Sequence, residues 1–267
     1  MEKYEECDIK KYLERIGYNG EVKVDLDTLK ALNACHVKTV PYENLDILAH
    51  KDLRLDIPSL YDKVVVRRRG GYCFEVNGLF AWLLQEIGFE VVQHFGRWMR
   101  GEPLEAPMRR HRSIRVILNG EQYICDVGAG LPSPQEPLRL EFDTVQTVKG
   151  EDYRIIKDPI NIYIVQYMSS DGTWKNQFSF NDDPCIPIDY YQPHYYCTTH
   201  PDSPFLNYTM VYVCTDDGRH TIADVYDQYT GLKARELRTY ASGGLTTKLI
   251  RNDDQFNEIL RDVFGLE

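Results

Sequence analysis

The chain reads as an α+β protein, and three observations predict this class. Apolar residues recur at helical spacing over roughly the first ninety residues. Beyond Gly88 the pattern becomes short β-rich runs separated by turn signals such as Asn119-Gly120, with a single helix closing the chain. Hydrophobic residues make up 43% of the 267, enough for a substantial core.

The elements follow in order. Ile9, Tyr12, Leu13 and Ile16 fall on one helical face, with Asp8 as its N-cap. Leu29, Leu32, His36 and Val40 repeat the spacing after Asp27, and a third helix starts near Pro58. Val76, Leu79, Phe80, Leu83, Leu84 and Ile87 make the clearest stripe, which Gly88 stops. Val91 to Trp98 reads as a strand. Ser113 to Leu118 and Tyr123 to Val127 form a hairpin around Asn119-Gly120. Runs at Tyr153–Ile156 and Ile160–Met168, with a turn at Ser170-Asp171-Gly172, extend an antiparallel sheet or barrel. Strands resume at Thr209 to Cys214 and Gly218 to Val225, and Asp254 to Phe264 is the last helix. No internal repeat, low-complexity stretch or linker is visible, so the parts are expected to pack as one body.

A net charge of −10 argues against a general nucleic-acid binder. The cluster Arg67-Arg68-Arg69 reads as a solvated or ion-paired face. No run approaches the roughly 18 apolar residues of a membrane span, and Met1 to Glu6 lacks the apolar stretch of a signal peptide. Seven cysteines, none in C-x-x-C spacing or grouped with histidine, predict a protein of the reducing cytoplasm without a metal site. Asn207-Tyr208-Thr209 reads as a chance glycosylation match.

The chemistry centres on Cys73, within Arg69-Gly70-Gly71-Tyr72-Cys73-Phe74-Glu75-Val76-Asn77. A thiol where a glycine turn becomes a helix meets the positive end of the helix dipole and its orphan N–H groups. A cysteine on an apolar helix face is more often simply core, so partners decide. In the predicted hairpin Asp126 faces Ser113 and His111 faces Gly128, making His111 and Asp126 diagonal neighbours on one face. A carboxylate holding one ring nitrogen leaves the other to take a thiol proton. Glu43 is placed to pair with Arg69 and anchor the nucleophile loop. The other histidines have no arguable partner.

These residues resemble the arylamine N-acetyltransferases, which move acetyl groups from acetyl-coenzyme A to aromatic amines, hydrazines and hydroxylamines. Val40-Pro41-Tyr42-Glu43-Asn44-Leu45-Asp46 looks like the family's N-terminal signature, and Arg69 to Asn77 like its nucleophile motif. His111 and Asp126-Val127-Gly128, Pro137 to Leu140, Ser203-Pro204-Phe205 and Val263 to Leu266 continue the likeness. The resemblance implies a helical domain over residues 1–90, a β-barrel domain over 91–200 and an α/β lid over 201–267. It also implies a Cys-His-Asp core like that of cysteine proteases. Its expected partners are an acyl-coenzyme A donor and a small amine acceptor, with no metal, nucleic acid or membrane. Gly128 and Gly130 would lie against the cofactor, and Ala129 and Phe74 against the acceptor. One departure stands out: in Asp126-Val127-Gly128-Ala129-Gly130-Leu131, Ala129 replaces the family's usual Phe, removing a ring from the acceptor pocket. The same triad would also serve a thiol hydrolase or an amide synthase with a bulkier substrate. A non-catalytic binding protein of this fold would be marked by a missing triad member.

Overall fold

The computed structural model describes residues 4, 6–101, 107–130, 134–227 and 230–266. Leu131 and most of the Met1–Glu5 stretch lie outside them. The chain divides into two units, one of residues 19–34 and 73–194, the other of residues 1–18, 35–72 and 195–267.

The first unit is built around α-helix Cys73–Ile87 and two four-stranded antiparallel sheets. In chain order it follows α1 (Ile9–Arg15), α2 (Leu26–Thr39), β1 (Tyr42–Glu43), α3 (Leu45–Leu48) and α4 (Ile57–Tyr61), so this helix is α5. Gly88 ends it with a left-handed φ of 111° and an N–H that returns to the Leu84 carbonyl at 3.1 Å. Strands β2 (Glu90–Arg97), β3 (Arg109–Leu118), β4 (Glu121–Cys125) and β5 (Leu138–Arg139) make one sheet in that order. The second sheet is β6 (Gln146–Val148), β7 (Glu151–Asp158), β8 (Ile162–Met168) and β9 (Trp174–Phe180), also in chain order. Ile124, Ala129, Leu138, Tyr153, Ile155, Val165, Phe178 and Phe180 form their buried core.

The expected β-barrel does not close. At one seam a lone bridge joins Trp98 to Phe178, with Met99 and Arg100 N–H groups sharing the Gln177 carbonyl. At the other, the Gln146 side chain bonds the Arg139 backbone in place of a strand ladder. A barrel needs continuous backbone pairing around its wall, and here the edge strands meet at points only.

The β3–β4 hairpin holds the predicted register from Leu118↔Glu121 to Ile114↔Cys125. Asn119 and Gly120 both have positive φ, 53° and 82°, as a two-residue turn of this hand requires. The ladder stops one pair short of Ser113 and Asp126, because the chain turns away after Cys125.

In the second unit, Asp8 caps α1 by accepting from Lys10 N at 2.7 Å. α2, whose first part belongs to the first unit, starts at Leu26, ahead of Asp27, with Asp25 accepting from Thr28 N at 2.8 Å. After α4, capped by Asp56, the chain makes a π-helical turn over Asp62–Val66. Short helices α6 (Tyr191–Thr199) and α7 (Pro204–Asn207) precede β10 (Met210–Cys214), β11 (Arg219–Tyr226), β12 (Lys233–Ala241) and β13 (Gly244–Ile250). The sheet order is β1-β10-β11-β12-β13, so the edge strand comes from Tyr42–Glu43. Helix α8 (Asp253–Phe264) buries Phe256, Ile259, Leu260 and Phe264, one helical stripe, on Val211, Ile222, Leu237 and Ile250.

Candidate active site

Cys73 is the first residue of α5 and is 2% exposed. Its thiol lies 3.6 Å from the Arg110 carbonyl, and it is near enough to His111 to help raise that residue's pKa. The pairing of β2 with β3 shifts between Gly96 and Arg97, so Arg110 is the extra residue of a β-bulge. Such a bulge re-aims its neighbours, and here it turns the Arg110 carbonyl onto the cysteine.

His111 Nε2 and Asp126 Oδ2 are 2.5 Å apart, both side chains almost fully buried. That contact leaves Nδ1 to face the thiol. Burial alone would strip the imidazole of its charge. The Asp126 carboxylate, by attraction and hydrogen bond, and then Cys73 outweigh it, and the pKa is pushed up to about 10. His111 therefore holds a proton at neutral pH. Trp98 and Phe178 flank the ring, with centroids at 5.3 and 4.8 Å.

Asp126 is fixed by more than the histidine. Its Oδ1 accepts from Asn77 Nδ2 and from Gly128 N, each at 2.8 Å. Asn77 also donates to the Arg112 carbonyl at 2.6 Å and accepts from Val127 N at 2.9 Å. Sequence reasoning did not assign Asn77 a role. Its signal was position: four residues after Cys73, it stands one turn along the same helix face.

Arg112 completes the link between α5 and β3. Its Nη1 donates to the Phe74 carbonyl at 2.9 Å, its Nε to Gln93 Oε1 at 2.8 Å, and its guanidinium stacks 4.3 Å over the Tyr190 ring. The guanidinium passes where a side chain on Gly78 would be, which accounts for a glycine inside a helix.

The remaining predicted positions fall as follows. A Cβ on Gly128 would come within 2.8 Å of Cys73 Cα, so this backbone lies against the nucleophile. Gly130 has open space around it and a φ of 62°. Ala129 is 1% exposed in the sheet core, and Phe74 is fully buried, edge-on to Tyr190 at 5.6 Å. In the other unit Arg69 Nη2 meets Glu43 Oε1 at 3.1 Å, and Arg69 Nη1 meets Asp46 Oδ1 at 3.2 Å. Of the other histidines, His36 bonds the Tyr12 hydroxyl at 2.9 Å, and burial, with Arg15 nearby, pushes its pKa down to about 3. None of the seven cysteines is in a disulfide. Among the described residues no cluster of three or more His, Cys, Asp or Glu stands where it would hold a metal. No described helix is long and apolar enough to cross a membrane.

The fold is mixed α+β, and it buries Cys73 beside the His111–Asp126 pair. The family model of N-acetyltransferases matches residues 25–267. The arylamine N-acetyltransferase of Mycolicibacterium smegmatis is 35% identical, over 97% of this chain and 92% of that protein. The Escherichia coli K12 arylamine N-acetyltransferase is also 35% identical, over 86% and 83%. Among solved structures, the Mycobacterium tuberculosis enzyme superposes with a TM-score of 0.88 at 34% identity, covering 97% of this chain and 94% of its own. A Mycobacterium marinum arylamine N-acetyltransferase in complex with CoA has a TM-score of 0.87 at 32% identity, covering 97% and 93%. The chain belongs to the arylamine N-acetyltransferase family and is an acyltransferase.

Proposed function

We propose that the protein carries an acetyl group from acetyl-coenzyme A to the nitrogen of an arylamine, hydrazine or hydroxylamine through a thioester on Cys73. The buried His111–Asp126 pair, with Cys73 near enough to bear on the histidine's charge, carries this reading. A relative solved with CoA supports the donor.

In the first half-reaction the proton of the Cys73–His111 pair lies on the imidazole, and the Cys73 sulfur attacks the thioester carbonyl. The bond to the coenzyme A sulfur breaks, and His111 returns the proton to that leaving thiolate. In the second, the amine attacks the acetyl-cysteine carbonyl and loses its proton to His111, and Cys73 leaves to regenerate the pair. Asp126 keeps the imidazole oriented and favours its charged form whenever it holds the proton. A covalent intermediate entails ping-pong kinetics.

In this scheme Gly128 and Gly130 border the donor, while Ala129 and Phe74, both buried, back the acceptor wall. The Arg69–Glu43 pair steadies the loop before the nucleophile. Residues 1–90, 91–200 and 201–267 serve as nucleophile, base and cover regions. Water must be kept from the acyl-enzyme, or transfer becomes hydrolysis. The absence of disulfides among seven cysteines supports a cytoplasmic setting.

The test is acetylation by acetyl-coenzyme A without amine, read by intact mass. One acetyl on the wild type and none on Cys73→Ala is expected. No adduct, or an equal adduct on the variant, overturns the reading. Passage of the acetyl to water rather than to amines would assign a thiol hydrolase instead.

A further inference from the structure

In the unit of residues 1–18, 35–72 and 195–267, a cavity of about 710 Å³ opens beside α3 and α8. Its volume lies within the roughly 300–1,000 Å³ typical of small-molecule sites. None of the residues lining it belongs to the Cys73–His111–Asp126 constellation. The lining divides by chemistry. Leu45, Leu48, Ala49, Phe256, Leu260 and Leu266 give an apolar floor. Lys51, Arg69, Arg235 and Arg261 give four cations against one carboxylate, Asp46.

That imbalance stands out in a chain of net charge −10. Asp46 is nearly buried and already answers three cations: Lys51 at 2.9 Å, Lys63 at 3.2 Å and Arg69 at 3.2 Å. Two of the cations, Arg235 and Arg261, pair with solvent-facing carboxylates. Arg235 meets Asp253, whose side chain is 86% exposed, and Arg261 meets Asp262 at 3.4 Å with both side chains more than half exposed. Exposed pairs of this kind contribute little, so an entering anion can exchange with them. Arg235 is already held flat over the Phe256 ring at 4.0 Å, a cation fixed above apolar surface. Arg69 keeps a buried Nε–H with no hydrogen-bond partner.

We propose that this cavity is a second ligand site that takes a small amphipathic anion. Its carboxylate meets Lys51, Arg235 and Arg261 at the rim, and its hydrocarbon body lies on Leu48, Phe256, Leu260 and Leu266. The observations select the class by both halves: a neutral hydrocarbon leaves the cations unanswered, and an amphipathic cation meets like charge.

Decanoate is the probe, titrated calorimetrically into the full-length protein, with decanol and decylamine as controls. One saturable site is expected for decanoate, with both controls at least about tenfold weaker. Lys51→Gln combined with Arg261→Gln should weaken decanoate about tenfold or more. Ala49→Trp, which fills the floor, should abolish binding without touching the charges. Acyl transfer by the charge variant should stay at the wild-type rate, reporting an intact fold. Decanoate affinity unchanged in both variants, or equal affinity for decanol, overturns the proposal. Loss of binding when Cys73 is carbamidomethylated would place the anion in the catalytic site and also overturn it.

Discussion

Asn77→Ala removes the side chain that ties the carboxylate of Asp126 to helix α5, and the structure sets the size of the effect. Three bonds disappear: to Asp126 Oδ1 at 2.8 Å, to the Arg112 carbonyl at 2.6 Å and from Val127 N at 2.9 Å. The first is a bond to a charged group, worth about 1.5–3 kcal/mol. If it serves to aim Asp126 at His111, its loss slows acylation about tenfold to a hundredfold. The loss of the acceptor for the buried Val127 N–H adds about 1–3 kcal/mol. For a chain of this size that lowers Tm by a few degrees. The assay is single-turnover acylation by a chromogenic acetyl ester, followed at constant enzyme over pH. Asn77→Asp separates aiming from bulk structure. It keeps the shape and still accepts from Val127, but sets a carboxylate beside Asp126, where both cannot be charged at low cost. Its acylation should fall below that of Asn77→Ala at neutral pH and recover as pH falls. Wild-type acylation in Asn77→Ala, or equal pH profiles for the two variants, refutes the positioning role.

Four further outcomes follow from the same geometry. His111 has a folded pKa raised to about 10 against an ordinary 6.5, so its stabilising contribution is complete below about pH 6.5 and is lost as pH rises through 10. Chemical denaturation from pH 6 to 10.5 should show that loss in the wild type, and Asp126→Asn should abolish it because burial then lowers the pKa. His36 and His94 act in the opposite direction: burial first, then a nearby arginine, holds them at about 3 and 4, so their contribution falls away as pH drops below about 6.5. Gly128→Ala forces a methyl to within 2.8 Å of Cys73 Cα and 2.9 Å of Val76 Cγ2, so acylation and Tm should both fall, whereas Gly130→Ala, with open space around it, should cost only its strained φ. Ala129→Phe inserts a ring beside Phe178 in a filled core, and should cost about 1–3 kcal/mol by urea denaturation whatever it does to amine selectivity.

The parts of this fold that were legible are those fixed by local chemistry. Asn119-Gly120 sets a two-residue turn, that turn sets the register, and the register brings His111 near Asp126. Gly88 and the apolar stripe of α5 likewise define a helix without outside help. Barrel closure was not legible, because it depends on whether distant edge strands can complete a backbone ladder. At Trp98 and Phe178 they make a single bridge. β1 was missed for a related reason: two residues, Tyr42 and Glu43, form a strand only because β10 supplies the partner. The bulge at Arg110 was missed too, since nothing in Arg109-Arg110-His111 distinguishes it from regular strand until Gly96 is opposite.

The site itself depends on a coupling that pairwise reading misses. Cys73, Asn77 and Gly78 lie on one helix, and each meets the same stretch of β3 and its return. Cys73 meets the Arg110 carbonyl and His111, Asn77 meets the Arg112 carbonyl and Asp126, and Gly78 leaves room for the Arg112 guanidinium. Arg112 then reaches back to the Phe74 carbonyl in the first turn of α5. Cys73 and His111 are thus held by reciprocal bonds between α5 and β3, not by the His111–Asp126 contact alone. Any change that lets α5 slide against β3 must move the thiol and the carboxylate together. Gly78→Ala, which drives a methyl into the Arg112 guanidinium, is therefore a direct probe of this coupling that leaves Cys73, His111 and Asp126 unchanged. Acylation in that variant should fall by more than in Ala129→Phe at matched loss of stability. Equal activity at equal stability would mean that the two elements are not coupled through Arg112.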